Sequence, residues 1–283
     1  MNRSPLLPLA GVFGGGGLFG IGYALGVIDG LRERGIDLTG SPMLGTSAGS
    51  WAAAATALSV PFDDLVHLVV PTFPNPRAGV LASSAREAFG EATDSNVRVV
   101  VTQLPRMKRV VLHGRDYPLT DLVAASSSVP GLLAPHSVGG KRYVDGGVRS
   151  GVSVDLADPA SLLVVIAPLA GAMFGPFGRF VDNRTDAEQR DWSTHNLGRF
   201  LEFSPRSATA HRPMAKRIFS AYVNAPANKK SRAVRGFLVR QTDSLLTNHQ
   251  RARQAGEIGC NVADLFFRQR LGHTAHDRVA ATV

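Results

Sequence analysis

Hydrophobic residues in this chain fall into short runs separated by glycine-rich turns and by stretches of helical spacing. Leu9-Ala10-Gly11-Val12-Phe13 is too apolar for a strand with one wet face and predicts a buried strand, with Pro8 just ahead of it where a missing N–H is tolerated. After Gly14 to Gly17, the apolar positions Tyr23, Leu25, Val27, Ile28 and Leu31 predict a helix that Gly35 stops. Pro42-Met43-Leu44 leads as a second short strand into Gly45-Thr46-Ser47-Ala48-Gly49, and the small-residue run Ser50 to Leu58 predicts another helix. This β-loop-α-β-turn-α order opens an α/β fold with a parallel-type central sheet flanked by helices.

Further along, Phe62 to Val70 and Leu81 to Phe89 predict helices on either side of a proline-rich break at Pro71 to Pro76. Strands are expected at Val97 to Gln103 and Val110 to His113, and a helix at Thr120 to Ser126, capped by Thr120 and stopped by Val129-Pro130. Gly139-Gly140 predicts a hairpin turn into a strand that delivers Asp145 to a tight Gly146-Gly147 turn. Leu162 to Ala167 is expected to be a central strand and Asp186 to Leu201 a charged surface helix. The tail is expected to be helical, with Val234, Phe237, Leu238 and Leu245, then Ile258, Val262, Leu265 and Phe266, at helical spacing. The expectation is a single domain over residues 1–283, with a motif-bearing core at about 9–170 and a basic helical part at about 171–283.

Charge changes this picture mainly in the tail. The formal net charge is +9, but residues 1–150 hold 13 Lys/Arg against 11 Asp/Glu, whereas residues 151–283 hold 18 against 11. Between Phe203 and Gly256 there are 11 basic residues and one acid, Asp243. There Met214, Ile218, Phe219, Tyr222 and Val223 are interspersed with Arg212, Lys216 and Arg217, an arrangement expected to touch an anionic membrane peripherally. Nucleic acid is not an expected partner, because no stacking aromatics or recognition motif accompany the charge. One cysteine, Cys260, excludes an intramolecular disulfide, and no Cys, His and acid cluster has metal-ligand spacing, so neither metal nor cofactor is expected. The apolar N-terminal run lacks a small-residue cleavage site, and nothing reaches the ~18 continuous apolar residues of a membrane span, so the expected location is cytoplasmic.

Three glycine-bounded turns carry the candidate chemistry. In Gly45-x-Ser47-x-Gly49, strand, sharp turn and helix form the context of a nucleophile elbow; Ser47 stands at a helix N-terminus, where N–H groups and the helix dipole favour a developing anion. Gly15, Gly16 and Gly17 form a strand-to-helix loop whose backbone can aim N–H groups at an oxyanion, with Gly20 closing the motif. Asp145 lies 98 residues beyond Ser47 (145 − 47) at a strand end, where Gly146 and Gly147 let the backbone turn close to the serine. It is the candidate base.

Taken together, Gly15-x-Gly17-x-x-Gly20, Gly45-x-Ser47-x-Gly49 and Asp145-Gly146-Gly147 resemble, in order and spacing, the three motifs of patatin-like phospholipases. Ala125-Ser126-Ser127-Ser128-Val129-Pro130-Gly131 is similar to that family's approach to its aspartate, and the resemblance spans about residues 9–170. It implies a three-layer α/β architecture and a Ser–Asp dyad without histidine. Ser47 would attack acyl esters of phospholipids or other glycerolipids, Asp145 would take its proton, and amides around Gly16 and Gly17 would hold the oxyanion. Phe19 stands where the family often has a basic residue, and Gly151-Val152-Ser153-Val154 replaces an asparagine-proline pattern. An aspartate with a reference pKa of about 3.9 is a weak base, so a desolvated Asp145 is expected.

Two other readings of the same residues are open at this point. Gly15 to Gly20 also satisfies a dinucleotide-binding fingerprint, with Glu33 or Asp37 as the acid beyond it, and a non-catalytic lipid- or dinucleotide-binding protein would follow. An ordinary hydrolase triad would draw its histidine from His195, His211 or His249.

Overall fold

The computed structural model describes residues 6–66, 68, 71, 73–171 and 175–204. The predicted tail helices, the stretch from Arg212 to Val223 expected to touch a membrane, His211, His249 and Cys260 lie outside the described residues.

Among the described residues, eight strands and six α-helices follow one another in the order β1 (Leu7–Phe13), α1 (Gly17–Arg32), β2 (Met43–Thr46), α2 (Ala48–Ala57), α3 (Phe62–Val66), α4 (Val80–Phe89), β3 (Val97–Gln103), β4 (Lys108–His113), α5 (Leu119–Ser126), β5 (His136–Val138), β6 (Lys141–Asp145), β7 (Ala160–Ile166), α6 (Gly175–His195) and β8 (Arg199–Phe203). They build one sheet in the order β5-β6-β3-β2-β1-β7-β8, with β4 also paired to β3. The β3-β2-β1-β7-β8 core is parallel, while β4 and β6 pair antiparallel to β3 and β5 pairs antiparallel to β6.

Both faces of β1, β2, β3 and β7 are buried over most of their length, so these strands are apolar at successive positions and their side chains alternate between two cores. Phe13, Met43, Val97, Val99, Val164 and Ile166 face the core shared with α1, α2, α4 and α5. Val12, Leu44, Val100, Leu163 and Val165 face the other, with Val181 and Trp192 of α6. The result is the three-layer α/β architecture expected from the sequence.

Local chemistry explains the boundaries. At the end of α1, the Ile36 N–H donates to Leu31 O at 3.0 Å and Gly35 N–H to Arg32 O at 3.0 Å, with Gly35 at φ 82, a left-handed helix stop of the kind the sequence predicts. α2 is buried along nearly its whole length, and its alanines let it lie close against the sheet.

Some expectations are corrected. Thr120 is not the cap of α5: Pro118 takes that position, and the Thr120 hydroxyl instead donates to Gly90 O at 2.6 Å, tying α5 to the end of α4. The first helix after Pro61 ends at Val66. The strand at Leu162 is interior but stands one strand from the edge. Finally, the charged helix begins earlier, at Gly175, and ends at His195, and Leu201 belongs to β8.

Nor is that helix wholly a surface element. Glu188 is 4% exposed and accepts the Val154 N–H at 3.0 Å, Arg184 Nε at 2.9 Å and Arg109 Nη1 at 3.4 Å. Arg109 also forms a bidentate pair with Asp155, so β4, the 3-10 turn Val154–Leu156 and α6 are joined through one guanidinium. Trp192 fills the far end of this layer, its Cη2 2.9 Å from where a Cβ on Gly198 would stand. Trp192→Ala should lower unfolding stability by ~3–5 kcal/mol in chemical denaturation, because it removes the largest fully buried side chain of the described residues and leaves a cavity between α6 and β7.

Candidate active site

The site is set by how two strands share one edge of β3. β2 pairs with Val97 to Val100, and β6 pairs with Val101 to Gln103. β4 overlaps both registers, so it occupies the opposite edge and β2 and β6 lie end to end on the same one. Their C-terminal ends therefore converge: Thr46 lies opposite Val100, and Asp145 opposite Val101. Ser47 follows Thr46 directly, and its hydroxyl lies within reach of the Asp145 carboxyl, where it favours the ionised form. Two residues 98 positions apart (145 − 47) in the chain are thus brought together by register.

At this junction the chain must leave β2 for α2 within one residue. Ser47 adopts φ 53, ψ −120, a conformation that costs a non-glycine residue on the order of 1–3 kcal/mol. The flanking glycines are required by space. A Cβ on Gly45 would lie 2.5 Å from Gly49 O and Ser50 N, and one on Gly49 would lie 1.9 Å from Phe13 O. The elbow is held from behind by Ser50, whose hydroxyl donates to Ser47 O at 2.6 Å. Ser47 remains partly exposed while its neighbours are buried, so a substrate can reach the hydroxyl.

The serine run before Asp145 fills the gap between the strand ends. The Ser47 N–H donates to Ser126 Oγ at 2.8 Å, and Ser126 Oγ donates in turn to Val100 O at 2.8 Å. Trp51 Nε1–H donates to Ser127 Oγ at 3.1 Å, fixing α2 to α5. Asp145 N–H donates to Ser128 O at 2.9 Å. In the sequence this run shows the end of a helix and a family resemblance; its capacity to position both Ser47 and Asp145 has no local signal beyond three adjacent small polar residues.

Asp145 is 4% exposed. Its Oδ1 accepts the Gly147 N–H at 2.6 Å, and its carbonyl accepts the Thr102 hydroxyl at 3.1 Å. Gly146 is required here because a Cβ would stand 2.3 Å from Val100 O. Burial pushes the Asp145 carboxyl up to about 6, against the Ser47 hydroxyl and the Gly147 N–H, which favour its ionised form. The desolvated aspartate expected from the sequence is present.

The glycine loop divides differently from expectation. Gly15 N–H donates to Gly151 O at 2.8 Å, so it is occupied and does not serve as an oxyanion donor. Gly15 stands beside the elbow instead, its hypothetical Cβ 3.4 Å from that of Ser47. Gly16 caps α1 and Gly17 begins it, so their N–H groups have no carbonyl within the helix to bond. A Cβ on Gly16 would lie 2.8 Å from Gly20 Cα, and one on Gly20 3.0 Å from Ala48 Cβ, so this motif seats α1 against the elbow. Ala48, the first residue of α2, offers a further N–H that the sequence reading did not name. Phe19 lies in the core against Tyr23, their ring centroids 5.9 Å apart.

The rival readings meet their own geometry. Asp37 lies ahead of β2, exposed, accepting the Thr39 N–H at 2.9 Å; a ribose-binding acid belongs at the opposite, C-terminal end of that strand. Glu33 caps the far end of α1. His195 is exposed at the end of α6, beyond Trp192, which packs beside Ala160 at the start of β7, so it stands at the end of the sheet away from Ser47. Among the described residues no cluster of three or more His, Cys, Asp or Glu is placed to hold a metal.

Known proteins bear on this arrangement. Residues 77–158 match the family model described as patatin-like phospholipase, a span that includes Ser126 to Ser128 and Asp145 but not Ser47. Uncharacterized NTE family proteins of Mycobacterium tuberculosis and Mycobacterium bovis are 31% identical over 187 residues, which cover 57% of this chain and 50% of theirs. This chain thus spans about half the length of these curated relatives. The crystal structure of VipD from Legionella pneumophila is similar with a TM-score of 0.39 and 14% identity, over 82% of this chain and 67% of that one. The match over residues 77–158 and the similarity to these relatives agree with the resemblance carried by the three glycine motifs.

Two outcomes test the geometry without reference to activity. Ser126→Ala should cost ~1–3 kcal/mol of stability in denaturant titration, because the Ser47 N–H and Val100 O both lose their buried partner. For Asp145 the folded pKa lies above the unfolded one, so its contribution favours folding below about pH 4 and is lost as pH rises through 6. Asp145→Asn should therefore be more stable than wild type at pH 8, by on the order of 2–3 kcal/mol, with the gap closing below about pH 4.

Proposed function

We propose that the chain is a serine lipid acyl hydrolase that cleaves carboxylic esters of phospholipids or other glycerolipids through a Ser47–Asp145 dyad. The observation that carries this reading is that the strand register brings a partly exposed serine on a strained elbow beside a buried aspartate whose pKa is raised to about 6. Such an aspartate is mostly ionised at neutral pH yet more basic than an exposed one, as a general base requires.

In the proposed reaction Ser47 Oγ attacks the ester carbonyl carbon while its proton passes to Asp145. The carbonyl oxygen becomes an oxyanion held by the free N–H groups of Gly16, Gly17 and Ala48, at the positive ends of α1 and α2. One such donor is commonly worth about 2.7–4 kcal/mol of barrier. Collapse breaks the bond to the alcohol, which leaves with the proton from Asp145, and Ser47 carries the acyl group. Water then attacks with Asp145 again as base, releasing the fatty acid and restoring the serine. The family match supports a lipid as substrate, and the burial of Asp145 beside Ser47 supports the aspartate as the base.

Hydrolysis of short-chain acyl esters and of phospholipid vesicles tests this. Ser47→Ala and Asp145→Asn, each shown to be folded, should lose at least ~10³-fold in kcat/KM. Wild-type kcat/KM should rise with pH through an apparent pKa near 6 as Asp145 ionises. Folded variants that keep wild-type turnover, or an acid limb unmoved by any change at Asp145, would overturn the dyad.

A further inference from the structure

Large exposed hydrophobic side chains gather around the mouth of this site. Val148 follows the Asp145-Gly146-Gly147 turn, and the segment that continues from it crosses the ends of β1 and β2, with Gly151 O accepting the Gly15 N–H and Val152 O the Thr46 hydroxyl. Leu132 lies four residues beyond Ser128, whose carbonyl holds Asp145, and Phe73 is joined to it through the Asn75 N–H donating to Leu132 O at 2.7 Å. On the other side, the start of α6 is anchored to this end of the sheet by Val181, which packs by Gly151, and by the Gly171 N–H donating to Gly178 O. That helix turn projects Phe177 and Phe180, which are 57% and 65% exposed.

Charge follows the same rim. The segments 73–80, 129–134, 147–152 and 175–181 contain the exposed arginines Arg77, Arg149 and Arg179 and no aspartate or glutamate. Elsewhere among the described residues, arginines such as Arg32, Arg86, Arg98 and Arg109 pair with acids. Apolar side chains interspersed with cations and free of acids match the boundary between acyl chains and anionic headgroups. A protein partner would also bury such residues, but only a lipid surface would place the substrate of the adjoining site at this mouth.

The geometry points to the rim of Phe73, Leu132, Val148, Phe177 and Phe180, with Arg77, Arg149 and Arg179, as a docking face for an anionic lipid surface that seats the Ser47–Asp145 mouth on its substrate. This inference rests on the lipid hydrolase reading and extends it to how the substrate is met. Among the described residues no helix is long and apolar enough to cross a membrane, so the contact is one of lying on the surface.

Co-sedimentation of the full chain carrying Ser47→Ala, which leaves the vesicles intact, tests it against two compositions: phosphatidylcholine alone, and two parts phosphatidylcholine to one part phosphatidylglycerol. Phe177→Ser/Phe180→Ser should weaken binding to both by ~10-fold or more. Arg77→Gln/Arg149→Gln/Arg179→Gln should weaken binding to the anionic vesicles alone, by about fivefold per arginine at low salt. With Ser47 restored, the phenylalanine variant should hydrolyse a soluble short-chain ester at the wild-type rate, which also reports its folding. As an independent measure, an environment-sensitive dye on Val148→Cys in a Cys260→Ser background should shift to the blue when anionic vesicles are added. Absence of vesicle binding, binding unchanged by both sets of substitutions, or a dye that stays in water would overturn the docking face. Any of these with soluble-ester turnover intact leaves the hydrolase reading standing. Vesicle binding that behaves as expected, with soluble-ester turnover unaffected by Ser47→Ala, would instead overturn the hydrolase reading.

Discussion

Everything at the site depends on the abutment of β2 and β6 along one edge of β3. An ordinary sheet edge would run one neighbour along its whole length. Here one parallel and one antiparallel neighbour divide it between Val100 and Val101, and both arrive with their C-terminal ends. The break leaves a backbone carbonyl, Val100 O, and a backbone amide, Ser47 N–H, that no strand can satisfy. The Ser126 hydroxyl satisfies both, acting as donor to one and acceptor to the other. A serine is the smallest side chain able to do so, and the gap admits little more, as Gly146 shows from the opposite side.

The same abutment sets the electrostatics. Because β6 ends inside the sheet, its last residue is held away from water, and Asp145 keeps its proton to a higher pH than a surface carboxylate. The fold opposes this ionisation, and only the Ser47 hydroxyl and the Gly147 N–H favour it. A buried carboxylate with so few partners is a poor choice for stability and a suitable one for proton transfer, so strain at Ser47 and desolvation at Asp145 accumulate at one point while the Arg109, Asp155 and Glu188 network braces the layer behind it.

What was legible in the sequence was whatever glycine and strand patterning dictate. The crowding that requires Gly45, Gly49 and Gly146 is local, so the motifs announce themselves, and β3 matches its predicted span because its valines face two cores. Features that depend on a distant partner were not legible. Nothing near Gly15 says that Gly151 takes its N–H, and Thr120 has the composition of a cap but finds Gly90 O. Glu188 reads as a surface charge until β4 brings Arg109 against it. The end of α6 was mistaken for continuing helix because Arg199 to Phe203 is short and mixed, although Gly198 must pass so close to Ala160 that a side chain would stand 1.7 Å from its carbonyl oxygen.

The division of the β3 edge also has a consequence for the time at which the protein becomes competent. Neither strand end can find the other until β3, β4 and the hairpin have all been made, and Ser47 leaves the ribosome 98 residues (145 − 47) before Asp145. At the usual pace of synthesis that interval is roughly 5–20 s. Throughout it the nascent chain holds Ser47 without Asp145, and for most of it an elbow with no Ser126 to brace it. The Ser47–Asp145 pair is thus absent from any chain or fragment that stops short of β6.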